Sequence, residues 1–170
     1  PRIADTAKRL WLIYVGFTAV ETVLLRIAGM NWLNAVNHAL STLSTGGFST
    51  KNESIAYWND QPMIQYIIML FMFLAGANFV VSYFAIKGKF GQVKGNEEFR
   101  WYASFLLIFA SITTLIIFFQ ADLSLNPVAH PVVISEFESS IRHELFQVLA
   151  VITTTGFVTS DFTAWTPFLT

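Results

Sequence analysis

The sequence predicts an all-α integral membrane protein built from repeated span–half-helix–loop–span units. Three observations carry that fold class. Of 170 residues, 54% are hydrophobic and only 12% are charged, about half the charge of an ordinary soluble domain. Three apolar stretches, Leu10–Met30, Met63–Ile86 and Trp101–Phe119, reach the ~20 residues that a bilayer crossing requires. A polar phrase also occurs twice, each time after an apolar segment too short to cross.

The elements follow in chain order. Glu21 and Arg26 interrupt the first span, and Arg26 lies where a long side chain can reach the interface. Leu33–Leu43 is apolar but about half a membrane long, so it reads as a re-entrant half-helix, with Asn31 and Asn34 as capping residues. The first polar phrase, Ser44-Thr45-Gly46-Gly47-Phe48-Ser49-Thr50, ends it. Asn59, Asp60 and Pro62 mark entry into the second span. Gly88, Gly91, Gly95 and Asn96 break the loop to the third span, and Asn126-Pro127 and His130-Pro131 break the loop after it. A second half-helix, Leu145–Ile152, leads into Thr153-Thr154-Thr155-Gly156-Phe157-Val158-Thr159. Aligned on Gly47 and Gly156, the two phrases share Thr, Gly, Phe and Thr at a constant offset of 109 residues.

Charge sets the orientation. Arg2, Lys8 and Arg9 precede the first span, and Lys87, Lys89, Lys94 and Arg100 lie between the second and third, against Lys51 and Arg142 on the other side. That bias places the N-terminus and the Lys87–Arg100 loop in the cytoplasm. Both polar phrases then enter from outside, where Glu53, Asp60, Asp122, Glu136, Glu138, Glu144 and Asp161 form an acidic vestibule that concentrates cations. Trp11, Trp32, Trp58, Trp101 and Trp165 fall near span ends, as an aromatic belt does.

A cation leaving water needs replacement oxygens, and irregular backbone at membrane depth survives only inside protein or against a water-filled path. Thr45-Gly46-Gly47 and Thr154-Thr155-Gly156 offer successive carbonyls, with threonine hydroxyls as a further layer. Glycine permits the torsions that aim a carbonyl at an axis. Phe48 and Phe157 are expected to anchor the loops, and Asn78 faces either a cavity or a neighbouring helix. Small polar clusters in membrane segments also serve close packing, but two copies in register on one side favour pore loops.

Other chemistries find little support. His38, His130 and His143 lack metal-ligand spacing, and no nucleophile elbow or phosphate-binding glycine loop is present. A net charge of −1 offers nothing to nucleic acid, and zero cysteines exclude disulfide and thiolate sites. A secondary transporter with broken helices would show inverted repeats, whereas both copies here run in one sense. A non-conducting membrane assembly subunit is the remaining alternative.

At this point the sequence resembles the Trk/Ktr/HKT superfamily of potassium transporters, most closely the bacterial TrkH type. The resemblance rests on Asn37-His38-Ala39-Leu40-Ser41-Thr42-Leu43 running into the first phrase, Ser54-Ile55 to Trp58, and Gly76-Ala77-Asn78-Phe79. Phe146-Gln147 and Thr153 through Trp165 carry it in the second copy. It implies a potassium-channel-like pore of four units around one pathway, of which this chain is a fragment holding the second, 1–88, and the third, 89–170, without its closing span. By the same resemblance Ser44, Thr45, Gly46, Gly47, Thr153, Thr154, Thr155 and Gly156 form selectivity filters that hold potassium at their carbonyls. Gly47 and Gly156 are then the filter glycines. It further implies a homodimer of the full-length protein, a cytoplasmic nucleotide-binding regulatory subunit, no cofactor and no enzymatic activity. The setting is a bacterial inner membrane, with potassium as the transported ion.

Overall fold

The computed structural model describes residues 3–120 and 136–159, and every regular element among them is helical. Helix α1 runs Ile3–Ile27, α2 Trp32–Leu43, α3 Pro62–Gly76, α4 Phe79–Ile86, α5 Phe90–Lys94, α6 Glu97–Gln120 and α7 Glu136–Ile152, with a 3-10 helix at Ser54–Trp58. Within α1, Ala7–Ile27 is long and apolar enough to cross a membrane. Its outward residues Trp11, Leu12, Val15, Val20, Val23 and Ile27 stay exposed, which suits a lipid-facing surface.

Local chemistry explains most boundaries. Asn31 caps α2 by accepting the Asn34 N–H at 2.8 Å. Asn34 plays a different part from the expected cap, since its side-chain oxygen accepts the Thr50 hydroxyl at 2.9 Å. Pro62 opens α3 at a position where its missing N–H costs nothing. With 12 residues, α2 is about 18 Å long, half a bilayer.

Four expectations need correction. The second span, expected as one helix over Met63–Ile86, is broken. Ala77 is extended (φ −80°, ψ 150°), and the Asn78 carbonyl accepts the Val81 and Ser82 N–H groups at 2.8 and 3.2 Å, starting a new helix. The second half-helix starts at Glu136 instead of Leu145. Its early turns are polar and read as a wet loop, but they are held by partners on α3. Consequently Glu144 is buried rather than part of an open acidic vestibule, Arg142 is buried on a helix rather than in an outer loop, and His143 is half-buried on the same helix. Trp58 is buried in the core rather than belted, whereas Trp11, Trp32 and Trp101 are exposed. Trp165, Asp122, Asp161, His130, Asn126-Pro127 and the residues around them lie outside the described residues.

The core lies where α2, α3 and α7 meet. Leu25, Ala35, Ile55, Ile64, Ile68 and Met72 from the first half pack with Phe146, Leu149, Ala150 and Phe157 from the second. The repeated halves therefore share one apolar interior, which brings the two polar phrases together.

Candidate functional site

Each polar phrase begins where a half-helix runs out of hydrogen bonds. The Ser44 N–H returns to the Leu40 carbonyl at 3.1 Å, and the matching Thr153 N–H returns to Leu149 at 2.9 Å. Thr45 N–H then reaches Thr42 and Thr154 N–H reaches Val151, both at 3.0 Å. The backbone next turns left-handed at Thr45 (φ 50°) and Thr154 (φ 57°), and again at Gly47 (φ 66°) and Gly156 (φ 76°). Gly46 and Thr155, between them, are not left-handed.

A threonine with positive φ is a genuine outlier, because its branched β-carbon crowds the carbonyl. Such strain costs about 1–3 kcal/mol per residue and persists only where surroundings impose it. Here it occurs at equivalent places in both phrases. Alternating φ signs also rotate successive peptide planes so that their carbonyls can face one side, unlike a strand, where they alternate.

The loops touch each other. A Cβ on Gly47 would collide with the Thr155 carbonyl oxygen and lie 3.2 Å from its carbonyl carbon. Gly76, at the end of α3, meets the second phrase from another direction, since a Cβ there would lie 2.7 Å from both the Thr153 methyl and the Tyr102 hydroxyl. Tyr102 of α6 uses that hydroxyl to satisfy the Phe73 carbonyl at 3.1 Å, just before the break between α3 and α4.

The expected site residues do not behave alike. Ser44, Gly46, Thr154 and Gly156 are exposed, and Thr45 and Gly47 are half-buried. Thr153 and Thr155 are buried, and their hydroxyls bond to each other at 2.8 Å while Thr153 also donates to Leu149 at 2.7 Å. Those two side chains serve the protein, and the Thr153 carbonyl in turn accepts the Thr154 hydroxyl at 2.7 Å. Phe157 is fully buried, whereas Phe48 is 79% exposed in this chain. Asn78 is exposed at the α3–α4 break, with its amide donating to Glu98 at 3.0 Å.

Residues with other expected roles, together with the unforeseen Gln65 and Tyr66, hold the second phrase in place. Ala56 N–H donates to the Val158 carbonyl at 3.0 Å, Val158 N–H to the Ser54 hydroxyl at 3.2 Å, and the Asn59 amide to the Thr159 carbonyl at 3.0 Å. Asn59 accepts from buried Gln65 at 2.6 Å, and Gln65 in turn accepts from buried Arg142 on α7. Arg142 also pairs with Glu138 at 3.0 Å, and Tyr66 donates to the same carboxylate at 2.5 Å. Gln65 was the available signal, an amide alone in an apolar run that requires a partner when buried.

Half-length helices ending in strained, hydroxyl-rich loops, carried by an all-α apolar scaffold, define the class as a helical membrane protein. The comparisons with known proteins narrow that class. The TrkH family, described as a cation transport protein, matches residues 1–170, and the chain belongs to that family. It is 35% identical over 170 residues to the Trk system potassium uptake protein TrkH of Escherichia coli K12, covering 99% of this chain and 33% of that protein. The Trk system potassium uptake protein TrkG of the same organism is 31% identical over 166 residues, with 97% and 32% covered. The crystal structure of the potassium transporter TrkH from Vibrio parahaemolyticus superposes with a TM-score of 0.81 at 31% identity, covering 99% of this chain and 34% of that one. The chain thus spans about a third of the length of the relatives it matches.

Proposed function

We propose that this chain contributes two adjoining filter loops to a potassium uptake pore. The observation that carries this reading is the pair of half-helices ending in the same left-handed pattern, Thr45/Gly47 and Thr154/Gly156, packed loop against loop. Carbonyls from Thr45–Gly47 and Thr154–Gly156 replace part of a potassium ion's water shell, and binding at several weak sites allows passage. No covalent chemistry is involved. The names of the relatives, potassium uptake proteins from several bacteria, support potassium as the ion.

In this reading residues 1–88 form one span–loop–span unit and residues 89–170 a span and loop of the next, with further units of the full-length protein closing the ring. Phe48 has its matching contact there: Phe157 packs against the preceding half-helix, and Phe48 would do the same on a unit before its own. The exposed Asn78 lies at the rim of the cavity on the cytoplasmic side of the filter. The protein sits in a bacterial inner membrane with its N-terminus and the basic Lys87–Arg100 loop in the cytoplasm. That loop is the contact offered to a nucleotide-binding regulatory subunit, and the full-length protein is a homodimer.

Potassium and sodium uptake into proteoliposomes by the full-length parent, with and without Gly47→Ser, tests the reading. Potassium uptake by the parent and sodium entry in the variant support it. Unchanged discrimination in the variant, or no uptake of either ion by the parent, overturns it.

A further inference from the structure

We infer that His38 is a positioning residue that couples the two loops and tunes the discrimination between potassium and sodium. This rests on the filter reading above and adds a residue outside the filter phrases.

His38 lies on α2, fully buried, about a turn and a half before the helix gives way to the first phrase. Its Nδ1 lies 2.7 Å from the Asn34 carbonyl and its Nε2 lies 2.9 Å from the Ser49 hydroxyl. A carbonyl only accepts, so Nδ1 carries the proton, and in the neutral ring Nε2 accepts from Ser49. The Ser49 oxygen also accepts the Lys51 N–H at 3.1 Å, which fixes the exit of the first phrase against its own half-helix. With Thr50 donating to Asn34, two consecutive residues of that exit are tied to α2.

The other face of the ring meets the second phrase. Phe157 stacks on His38 with ring centres 5.9 Å apart and planes 30° apart. Trp58 closes the edge at 5.0 Å and 83°. Phe157 directly follows Gly156, and Ser49 stands two residues beyond Gly47. One imidazole therefore touches both loops just past their left-handed glycines. A shift of this ring would move both loops together, and the placement and number of the filter carbonyls govern how potassium is separated from the smaller sodium ion. At the matching place in the second half stands Gln147, so the device belongs to the first half alone.

The test uses the full-length protein in proteoliposomes, reading potassium KM, maximal uptake and the sodium-to-potassium ratio for His38→Gln, His38→Asn, His38→Ala and Ser49→Ala, beside Gly47→Ser. Glutamine places an amide where Nε2 was and keeps the Ser49 contact; asparagine mimics Nδ1 and loses it. The expected result is a rise of roughly threefold to tenfold in the sodium-to-potassium ratio for His38→Asn and His38→Ala, the size that one or two hydrogen bonds support. Ser49→Ala shifts the ratio less in the same direction, and His38→Gln, which keeps the Ser49 contact but loses the stack on Phe157, falls between the parent and His38→Asn. If Gly47→Ser loses discrimination while the His38 and Ser49 variants keep the parent's ratio, the filter stands and this inference falls. A fall in maximal uptake at constant ratio, meaning a purely structural role, also overturns it. Unchanged discrimination in Gly47→Ser overturns the filter reading itself. Should His38→Ala fail to fold, Ser49→Ala and the His38→Asn/His38→Gln pair decide the matter alone.

Discussion

The α-carbon of Gly47 stands against the carbonyl group of Thr155, with no room for a Cβ between the two loops. Its neighbour Gly46 has different surroundings. A Cβ there would meet only the Ser44 hydroxyl at 3.2 Å and the Phe48 ring at 3.3 Å, both side chains, and no left-handed torsion is required.

The adjacent glycines are therefore not equivalent. Gly46→Ala is expected to retain potassium uptake and discrimination near the parent's. Gly47→Ala adds left-handed strain of about 1–2 kcal/mol and displaces the Thr155 carbonyl, so it is expected to lose discrimination. Uptake assays on the two variants, made side by side, check the contrast.

Gly76 and Thr153 form a second tight contact, where the broken second span touches the second loop. Gly76→Ala is expected to destabilise by about 1–3 kcal/mol, the usual range for overpacking. Removing the Thr153 methyl with Thr153→Ser relieves one of the two clashes, so the double variant should recover part of the loss. A melting comparison of both singles and the double in detergent measures that coupling. Strict additivity would contradict the contact.

Arg142 holds the first half of α7 to α3 through Gln65, and it steadies Glu138 on its own helix, whose carboxylate accepts the Tyr66 hydroxyl of α3. Replacing it with methionine leaves the buried Gln65 carbonyl without its donor and should cost about 1–3 kcal/mol in a detergent melting experiment. Lysine should rescue poorly, because it lacks the planar fork that reaches both partners.

Burial pushes the Glu138 carboxyl up, but the Tyr66 hydroxyl and the Arg142 guanidinium outweigh it and hold the group below its ordinary value of 4.5. A depressed folded-state value means stabilisation present above the ordinary value and lost as pH falls through the depressed one. Melting temperature measured between pH 7 and pH 3 should therefore drop less steeply at the acid end in Glu138→Gln than in the parent.

The sequence made the helical class, the first half-helix and the pairing of the loops legible, because each leaves a mark on composition or period. Leu33–Leu43 is flanked by Asn31 and a glycine pair, so its length could be read. The break in the second span was harder to see. Gly76 and Asn78 are weak breakers inside an apolar run, and Thr153 and Tyr102, which pack against Gly76, are distant in sequence. The early turns of α7 were hidden for a related reason. Arg142 and Glu144 look solvated by type, and only tertiary partners such as Gln65 make a buried arginine tolerable. His38 bonds within its own half-helix through Asn34, a contact that four-residue spacing makes legible. Its contacts with Ser49 and Phe157 depend on how the loops fold back, which no local pattern records.

The most direct measurement is anomalous diffraction from crystals of the full-length protein soaked in rubidium or thallium, which substitute for potassium. A peak is expected between the two loops, within coordination distance of backbone carbonyls of Thr45–Gly47 and Thr154–Gly156. Ordered ion density elsewhere on the pathway, with none between these carbonyls, would contradict it.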